Sequence, residues 1–138
     1  MEKSRQANLK IKLDIANDLM AADHHQSNRL VFQMIELSKT PNMRFEIFTE
    51  LLMELKNYAF NHYAREESFM EMCDYPQIAE HRASHKLHLV ELSKVLEAVR
   101  KGDQPGVNKL MLSIFNGWQK HRGDQDKKLI DYIHTLNQ

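Results

Sequence analysis

Hydrophobic residues recur at spacings of three and four along most of the chain, and this periodicity predicts amphipathic helices. In the first segment, the recurring residues are Leu30, Val31, Met34, Ile35 and Leu37. Four such segments of similar length can be distinguished, at about 14–39, 43–73, 77–101 and from near 106 to beyond 133. The hydrophobic pattern therefore predicts four helices.

Prolines mark the breaks between these segments. Pro41, Pro76 and Pro105 each lie beside other turn-forming residues, and proline disfavours helix both at its own position and at the residue before it. Short connections favour antiparallel neighbours, so we predict an all-α fold, an antiparallel up-down-up-down four-helix bundle. Residues 1–138 should form a single domain, which could itself belong to a longer chain. No breaker precedes the first helix, so residues 1–13 are expected to form an N-terminal arm or an extension of that helix.

Composition excludes several classes of function. Among 138 residues, 19 are Lys or Arg and 19 are Asp or Glu, so there is no net charge to attract nucleic acid or an anionic membrane. No apolar run approaches the roughly 20 residues of a membrane span, and the N-terminus lacks a signal-peptide pattern. The single cysteine, Cys73, excludes an intrachain disulfide. We therefore expect a soluble cytoplasmic protein without nucleic-acid or membrane partners.

Three motifs combine a histidine with a second potential metal ligand about one helical turn away. They are His62-Tyr63-Ala64-Arg65-Glu66, His81-Arg82-Ala83-Ser84-His85 and His121-Arg122-Gly123-Asp124-Gln125-Asp126. Residues four apart share a helix face, so the first two motifs each present two ligands on one side. The spacing of five in the third motif is looser, and it would let one helix supply two metal ions. Because consecutive helices carry these motifs, they predict a metal centre in the core.

The residue types suit a centre of two metal ions. Neutral imidazole binds iron, zinc or copper, and a carboxylate can bridge two ions roughly 3.5–4 Å apart. Glu66 and Asp126 are the natural bridging ligands. Apolar residues near the motifs are expected to surround the centre, namely Phe60, Phe69, Met70, Leu87, Leu89, Val90, Ile114, Phe115 and Trp118. Such burial would be costly for unpaired imidazoles and carboxylates, and metal ions would compensate for it.

These motifs resemble those of a known family. The stretch with His62, Glu66, Glu67, Met70, Asp74-Tyr75-Pro76, His81 and His85 resembles the central signature of the hemerythrin and bacteriohemerythrin family. The stretch from His121 to Asp126-Lys127 is similar to that family's closing motif. The resemblance covers roughly residues 19–133. It implies two iron ions that are bridged by an oxo or hydroxo group and by two carboxylates and that bind O2 reversibly. It also implies that the protein is not an enzyme.

The resemblance also implies a role for each ligand. Glu66 and Asp126 would bridge the irons. His62 would share one iron with a histidine of the first helix. The other iron would be held by His81, His85 and His121.

The first helix departs from the family's pattern. The family carries its histidine ligand there in a stretch of the form D-x-Q-H-K-x-L, whereas this chain has Ser27 at the matching position. At 100° per residue, His24 and Ser27 both lie within about 60° of the centre of the inward face, and His25 points nearly opposite. We therefore predict His24 as the ligand. The alternative is a position left open beside Ser27, with no ligand from the first helix.

Two main hypotheses for the function follow from the candidate ligands. Di-iron bundles that activate oxygen use mainly carboxylates with Glu-x-x-His motifs, so a set dominated by histidines favours an oxygen-binding protein over an oxidase or peroxidase. The alternative is a regulatory domain that senses O2, NO or redox state and signals to an output domain. Small anions are further candidate ligands. The remaining histidines, His25, His88 and His134, are expected to be exposed or partly packed, although His88 continues the face of His81 and His85.

Overall fold

The computed structural model describes residues 2–136. Within residues 2–23 it describes the side chains of Lys3, Lys10, Ile11, Asp14, Asp18, Ala21 and Ala22. The helices are α1 (Glu2–Lys39), α2 (Phe45–Met72), α3 (Ile78–Arg100), α4 (Gln104–His121) and α5 (Lys127–Leu136), with a π-helical turn (Arg122–Asp126) between the last two. Residues 104–136 thus form one continuous helical rod, the fourth of the bundle. The described residues contain no strand, and the predicted all-α four-helix fold is confirmed.

Each rod of the bundle packs against two neighbours. Helix α1 contacts α2 and α4, and α3 contacts the same two helices. Because short loops connect them, consecutive helices run in opposite directions. Residues 2–13 continue α1 as helix. None of the described helices is long and apolar enough to span a membrane.

Each loop contains one residue with a left-handed backbone. Asn42, Asp74 and Gly102 have φ angles of 55°, 52° and 66°. Asn, Asp and Gly tolerate this region best, and it ends a helix by turning the chain away from its axis. The loops coincide with the breaks predicted from Pro41, Pro76 and Pro105.

The core contains two hydrophobic clusters. The larger includes Phe48, Leu92 and Met111 and takes residues from all four rods. The smaller contains Phe69 and Leu129, among others. Along α2, the motif from residue 62 to residue 66 follows most of the larger cluster and precedes the smaller one. The polar motifs are therefore enclosed by apolar packing above and below.

The expectation about the surroundings of the motifs was wrong only in part, since Phe69, Met70, Ile114 and Trp118 are buried. Phe60, Leu87 and Val90 do not bury the centre, because their exposed fractions are 62%, 63% and 51%. Helix phase explains this result. Phe60 precedes His62 by two residues and Leu87 follows His85 by two, which turns each about 200° away from its histidine.

Candidate metal centre

The structure brings together all seven residues that the sequence analysis selected. They form two overlapping groups, in each of which one nitrogen or oxygen atom per residue lies within 4.8 Å of the others. The first group contains Glu66, His81, His85, His121 and Asp126. The second contains His24, His62, Glu66 and Asp126. Both groups share the two carboxylates, which therefore lie between two sets of histidines.

Glu66 directs a different oxygen toward each set. Its Oε2 lies 3.0 Å from Nε2 of His62, one turn earlier on α2. Its Oε1 contacts Nε2 of His81 and lies 3.3 Å from Nε2 of His85, both on α3. The Glu66 side chain has no exposed surface. One carboxylate thus links the histidine of α2 to those of α3.

Asp126 divides its oxygens in the same way. Its Oδ2 lies 3.1 Å from Nε2 of His24 on α1. Its Oδ1 lies 2.9 Å from Nε2 of His81 and 3.0 Å from Nε2 of His121. The two carboxylates therefore make parallel connections between the same two histidine sets.

The π-helical turn aligns His121 with Asp126. In a regular α-helix, residues five apart are rotated by about 140° from each other. The π-helix has i to i+5 hydrogen bonds, so residues at this spacing lie on the same side, and such turns often occur at functional sites. The turn spans Arg122–Asp126. Sequence analysis missed it, although the His-x-x-x-x-Asp spacing is itself the signal, together with Gly123, a weak α-helix former.

The centre contains buried polar atoms without well-directed hydrogen bonds. They include both oxygens of Glu66, Nε2 of His85 and Nε2 of His121. These atoms lie close to one another, but the angles are not those of hydrogen bonds. Buried polar atoms are normally paired, and a group of such atoms within 4.8 Å of one another fits a cation between them. Imidazole nitrogens and carboxylate oxygens are also suitable ligands for a transition metal.

Electrostatics keep the carboxylates ionised. Burial alone would raise the pKa of Glu66, but interactions with the imidazoles of His62, His81 and His85 hold this pKa well below its usual range. The pKa of Asp126 is likewise lowered, despite burial, by His121, His24 and His81. Ionised carboxylates are the form that binds metal.

His81 carries the opposite shift. Burial would lower its pKa, but Asp126 and Glu66 raise it to about 9. A histidine must be neutral to bind a metal ion, so metal binding must displace a proton from His81.

Glu67 supports the centre from outside. Nδ1 of His85 donates a hydrogen bond of 3.1 Å to Oε2 of Glu67, and Arg82 lies 3.3 Å from the other oxygen of that carboxylate. A bond of this kind fixes the tautomer in which Nε2 is free to bind a metal. Glu67 is therefore placed to orient a candidate ligand.

The side chains of α1 lie where helix phase places them. His24 faces the centre and its side chain is 20% exposed, whereas His25 is exposed to solvent. Ser27 is buried, and its hydroxyl donates to the carbonyl of His24 at 3.1 Å. The same hydroxyl accepts a hydrogen bond of 2.6 Å from Nη2 of Arg122. At the position where the resemblance implies a histidine ligand, this chain therefore has a serine bonded to an arginine.

The expectation that His88 is exposed or only partly packed was wrong. His88 is buried, with Nδ1 lying 3.0 Å from the Tyr63 hydroxyl and its ring edge-on to His121. Burial, with His121 and His85 nearby, lowers the pKa of His88 to about 3. Tyr63 in turn stacks on His85 with ring centroids 4.0 Å apart, and burial raises the pKa of Tyr63. His88 follows His85 by three residues, and this spacing is the signal that could have revealed its inward position.

A small cavity adjoins the second group of residues. Its volume is about 20 Å³. Its walls include His24, Ser27, His62, Tyr63, Arg122 and Asp126. A space of this size holds about one water-sized molecule.

Comparison with known proteins finds two relatives of this chain. Two proteins named bacteriohemerythrin, from Campylobacter jejuni subsp. jejuni serotypes O:6 and O:2, are each 26% identical to this chain over 123 residues. The aligned region covers 87% of this chain and 90% of each relative. No protein-family model and no solved structure matches the chain. The similarity in sequence, the four-helix bundle and the buried cluster of histidines and carboxylates together support assigning the chain to a hemerythrin-like family.

Proposed function

We propose that this chain holds two iron ions in the centre and binds O2 reversibly there, as an oxygen-binding protein. The observation that supports this most is the division of the carboxylate oxygens. Glu66 and Asp126 each direct one oxygen to His81 and the other to a histidine of the second group, His62 or His24. This is the arrangement required of two ligands that bridge a pair of metal ions.

In this proposal the histidines divide as the two groups do. One iron is held by His81, His85 and His121, and the other by His24 and His62. The second group has four residues where the first has five. The iron in the second group therefore has more room for an external ligand, and the small cavity is lined by His24 and His62 of that group, together with His121 of the first.

The ligand set favours binding of O2 over oxygenation of a substrate. Five of the seven ligands are neutral imidazoles, whereas di-iron bundles that activate oxygen rely on carboxylates. When bound, the reduced iron pair supplies the electrons through which O2 is held. The protein's own contribution is to place the histidines, to exclude bulk water and to leave space for a small ligand. The cavity suits a diatomic molecule better than an organic substrate, and NO or a small anion would compete for the same position.

Iron analysis with optical spectroscopy tests the proposal directly. We expect about two iron atoms per chain, because two bridging carboxylates hold a pair of metal ions. Absorption from the iron pair should bleach on reduction and return in a distinct form with O2. Removal of O2 under vacuum should reverse that change. A wild-type protein that retains no iron, or that is irreversibly oxidised in every exposure to O2, would refute the proposal. His134→Ala is a suitable control because His134 is exposed and belongs to neither group.

A further inference from the structure

Arg122 is a half-buried cation at the edge of the candidate centre. It directly follows His121 and begins the π-helical turn. Its Nη2 donates to the hydroxyl of Ser27 at 2.6 Å, and its Nη1 donates to Oδ1 of Asn28. Both acceptors are neutral, and these bonds use two of the five N–H groups of the guanidinium.

Among the side chains that the structure describes, Arg122 has no directly contacting counter-ion. Every side chain from residue 24 to residue 136 is described, and none of the carboxylates in this range lies within 4.0 Å of the guanidinium. Asp126 and Glu66 favour the charged form of Arg122 by Coulombic attraction, but the oxygens of both carboxylates are directed toward histidines. Arginine remains charged in proteins even when partly buried. A positive charge therefore stands beside the centre with hydrogen-bonding capacity to spare.

Arg122 lines the same cavity as His24 and His62. This is the side on which four residues, and not five, surround the metal position. A ligand that entered from the cavity would thus meet an iron on one side and a guanidinium on the other. Ser27, whose hydroxyl accepts a hydrogen bond from the guanidinium, occupies the position at which the resembled family carries its histidine ligand.

We infer that Arg122 is a specificity-determining residue that favours external ligands carrying a negative charge over neutral ligands. The inference rests on the proposed function, because the ligand binds at the iron pair. The physical cause is Coulombic. Charges interact more strongly near a half-buried site than in water, and arginine is well suited to bonding small anions through its planar N–H groups.

A structural role for Arg122 is the competing explanation. In that case its two bonds to α1 matter, and the charge does not. Lysine separates the two roles, because it keeps the charge but cannot reproduce the forked geometry that reaches both Ser27 and Asn28. Glutamine removes the charge but retains a polar group of intermediate length. Lys120→Gln is a matched control, since Lys120 is exposed on the other side of His121 and loses the same charge.

The experiment uses the iron-loaded protein and two probes. Azide is titrated into the oxidised form, and nitric oxide into the reduced form, both followed by absorption. We expect Arg122→Gln to weaken azide binding by about tenfold or more, the effect of losing a charge-assisted hydrogen bond, with nitric oxide changed by less than about threefold. Arg122→Lys should keep azide affinity within about threefold, and Lys120→Gln within about twofold.

Three results would overturn the inference. Arg122→Gln could leave azide affinity unchanged, or it could weaken azide and nitric oxide equally, which indicates a structural effect. Loss of iron from both Arg122 variants would likewise assign the residue to the fold. Failure of the proposed function itself would be detected before any probe is added, as absence of iron in the wild-type protein. That result would overturn the inference as well.

Discussion

The Tyr63 hydroxyl and Nδ1 of His88 share a hydrogen bond of 3.0 Å, and this pair lies directly behind the histidines of α3 and α4. Tyr63 stacks on the ring of His85 at 4.0 Å, and His88 packs edge-on against His121 at 4.8 Å. One hydrogen bond thus joins two residues that each restrain a different candidate ligand. The pair belongs to neither metal group but determines how the rings of one group are packed.

We predict that breaking this pair lowers the free energy of unfolding but leaves the metal content nearly unchanged. Tyr63→Phe keeps the stacked ring and removes only the hydroxyl, so it should cost about 1 kcal/mol. His88→Ala leaves a cavity and an unpaired buried hydroxyl, so it should cost about 2–3 kcal/mol. Urea unfolding of the iron-loaded proteins measures both changes. Equal stability of His88→Ala and the wild type would show that the contact contributes nothing.

His81 and His85 should matter more for iron than His88 does. Both belong to a group whose ligand atoms converge, and His88 does not. Replacing either residue with alanine should remove about one iron per chain, since one of the three histidine ligands proposed for that iron is lost and the buried carboxylates keep fewer partners. Iron analysis of the three alanine variants decides the point. Loss of iron in His88→Ala alone would show that the ligand assignment on α3 is wrong.

Chelation should destabilise the protein. The two groups bury histidines and carboxylates that a metal ion would otherwise neutralise, so binding free energy contributes to folding. We expect the metal-free protein to melt several degrees lower, since about 1 kcal/mol corresponds to a few degrees for a domain of this size. Thermal unfolding with and without a ferrous chelator measures the shift. Identical melting temperatures would mean that no metal is bound in the fold.

The assignment of α1 can be tested with three variants. His24→Ala should lose or loosen one iron, because Nε2 of His24 is directed at Asp126, and exposed His25→Ala should change little. Ser27→His should compete with His24 and should also break the bond from Arg122. Iron content and absorption spectra distinguish these outcomes. Retention of both irons in His24→Ala would instead favour a position left open beside Ser27.

The metal-free protein should be most stable near pH 6.5. The pKa of His81 is raised from 6.5 to about 9, so its contribution is complete below pH 6.5 and is lost as the pH rises through about 9. The pKa of His88 is lowered from 6.5 to about 3, so its contribution is lost as the pH falls below 6.5. The lowered pKa values of Glu66 and Asp126 add a further loss in more acidic solution.

Thermal unfolding of the chelated protein from pH 5 to pH 10 checks this prediction, with the range set by those shifts. His81→Gln should remove the decline on the alkaline side. A stability that rises steadily to pH 9 in the metal-free wild type would contradict it. Iron binding should have the opposite dependence on the alkaline side, because it requires His81 to be neutral.

The sequence by itself determined what depends on local periodicity. The number of helices follows from hydrophobic spacing, and their breaks follow from three prolines and their neighbours, because both effects act within a few residues. The same reasoning separated His24 from His25, since a single step of 100° around α1 decides which side faces inward. The three metal-ligand motifs were also visible, because ligands one turn apart need no knowledge of the other helices.

Only the tertiary structure decided which groups meet across helices. The division of the oxygens of Glu66 and Asp126 between two histidine sets depends on how four rods are rotated and shifted against each other, and no spacing along the chain contains that information. The same holds for Tyr63 with His88, and for Arg122 with Ser27, whose residues are far apart in sequence. The π-helical turn is a local feature, but the regular spacing of hydrophobic residues predicts only an α-helix. A π-helical turn is stable only where packing and ligand geometry compensate for the departure from an α-helix.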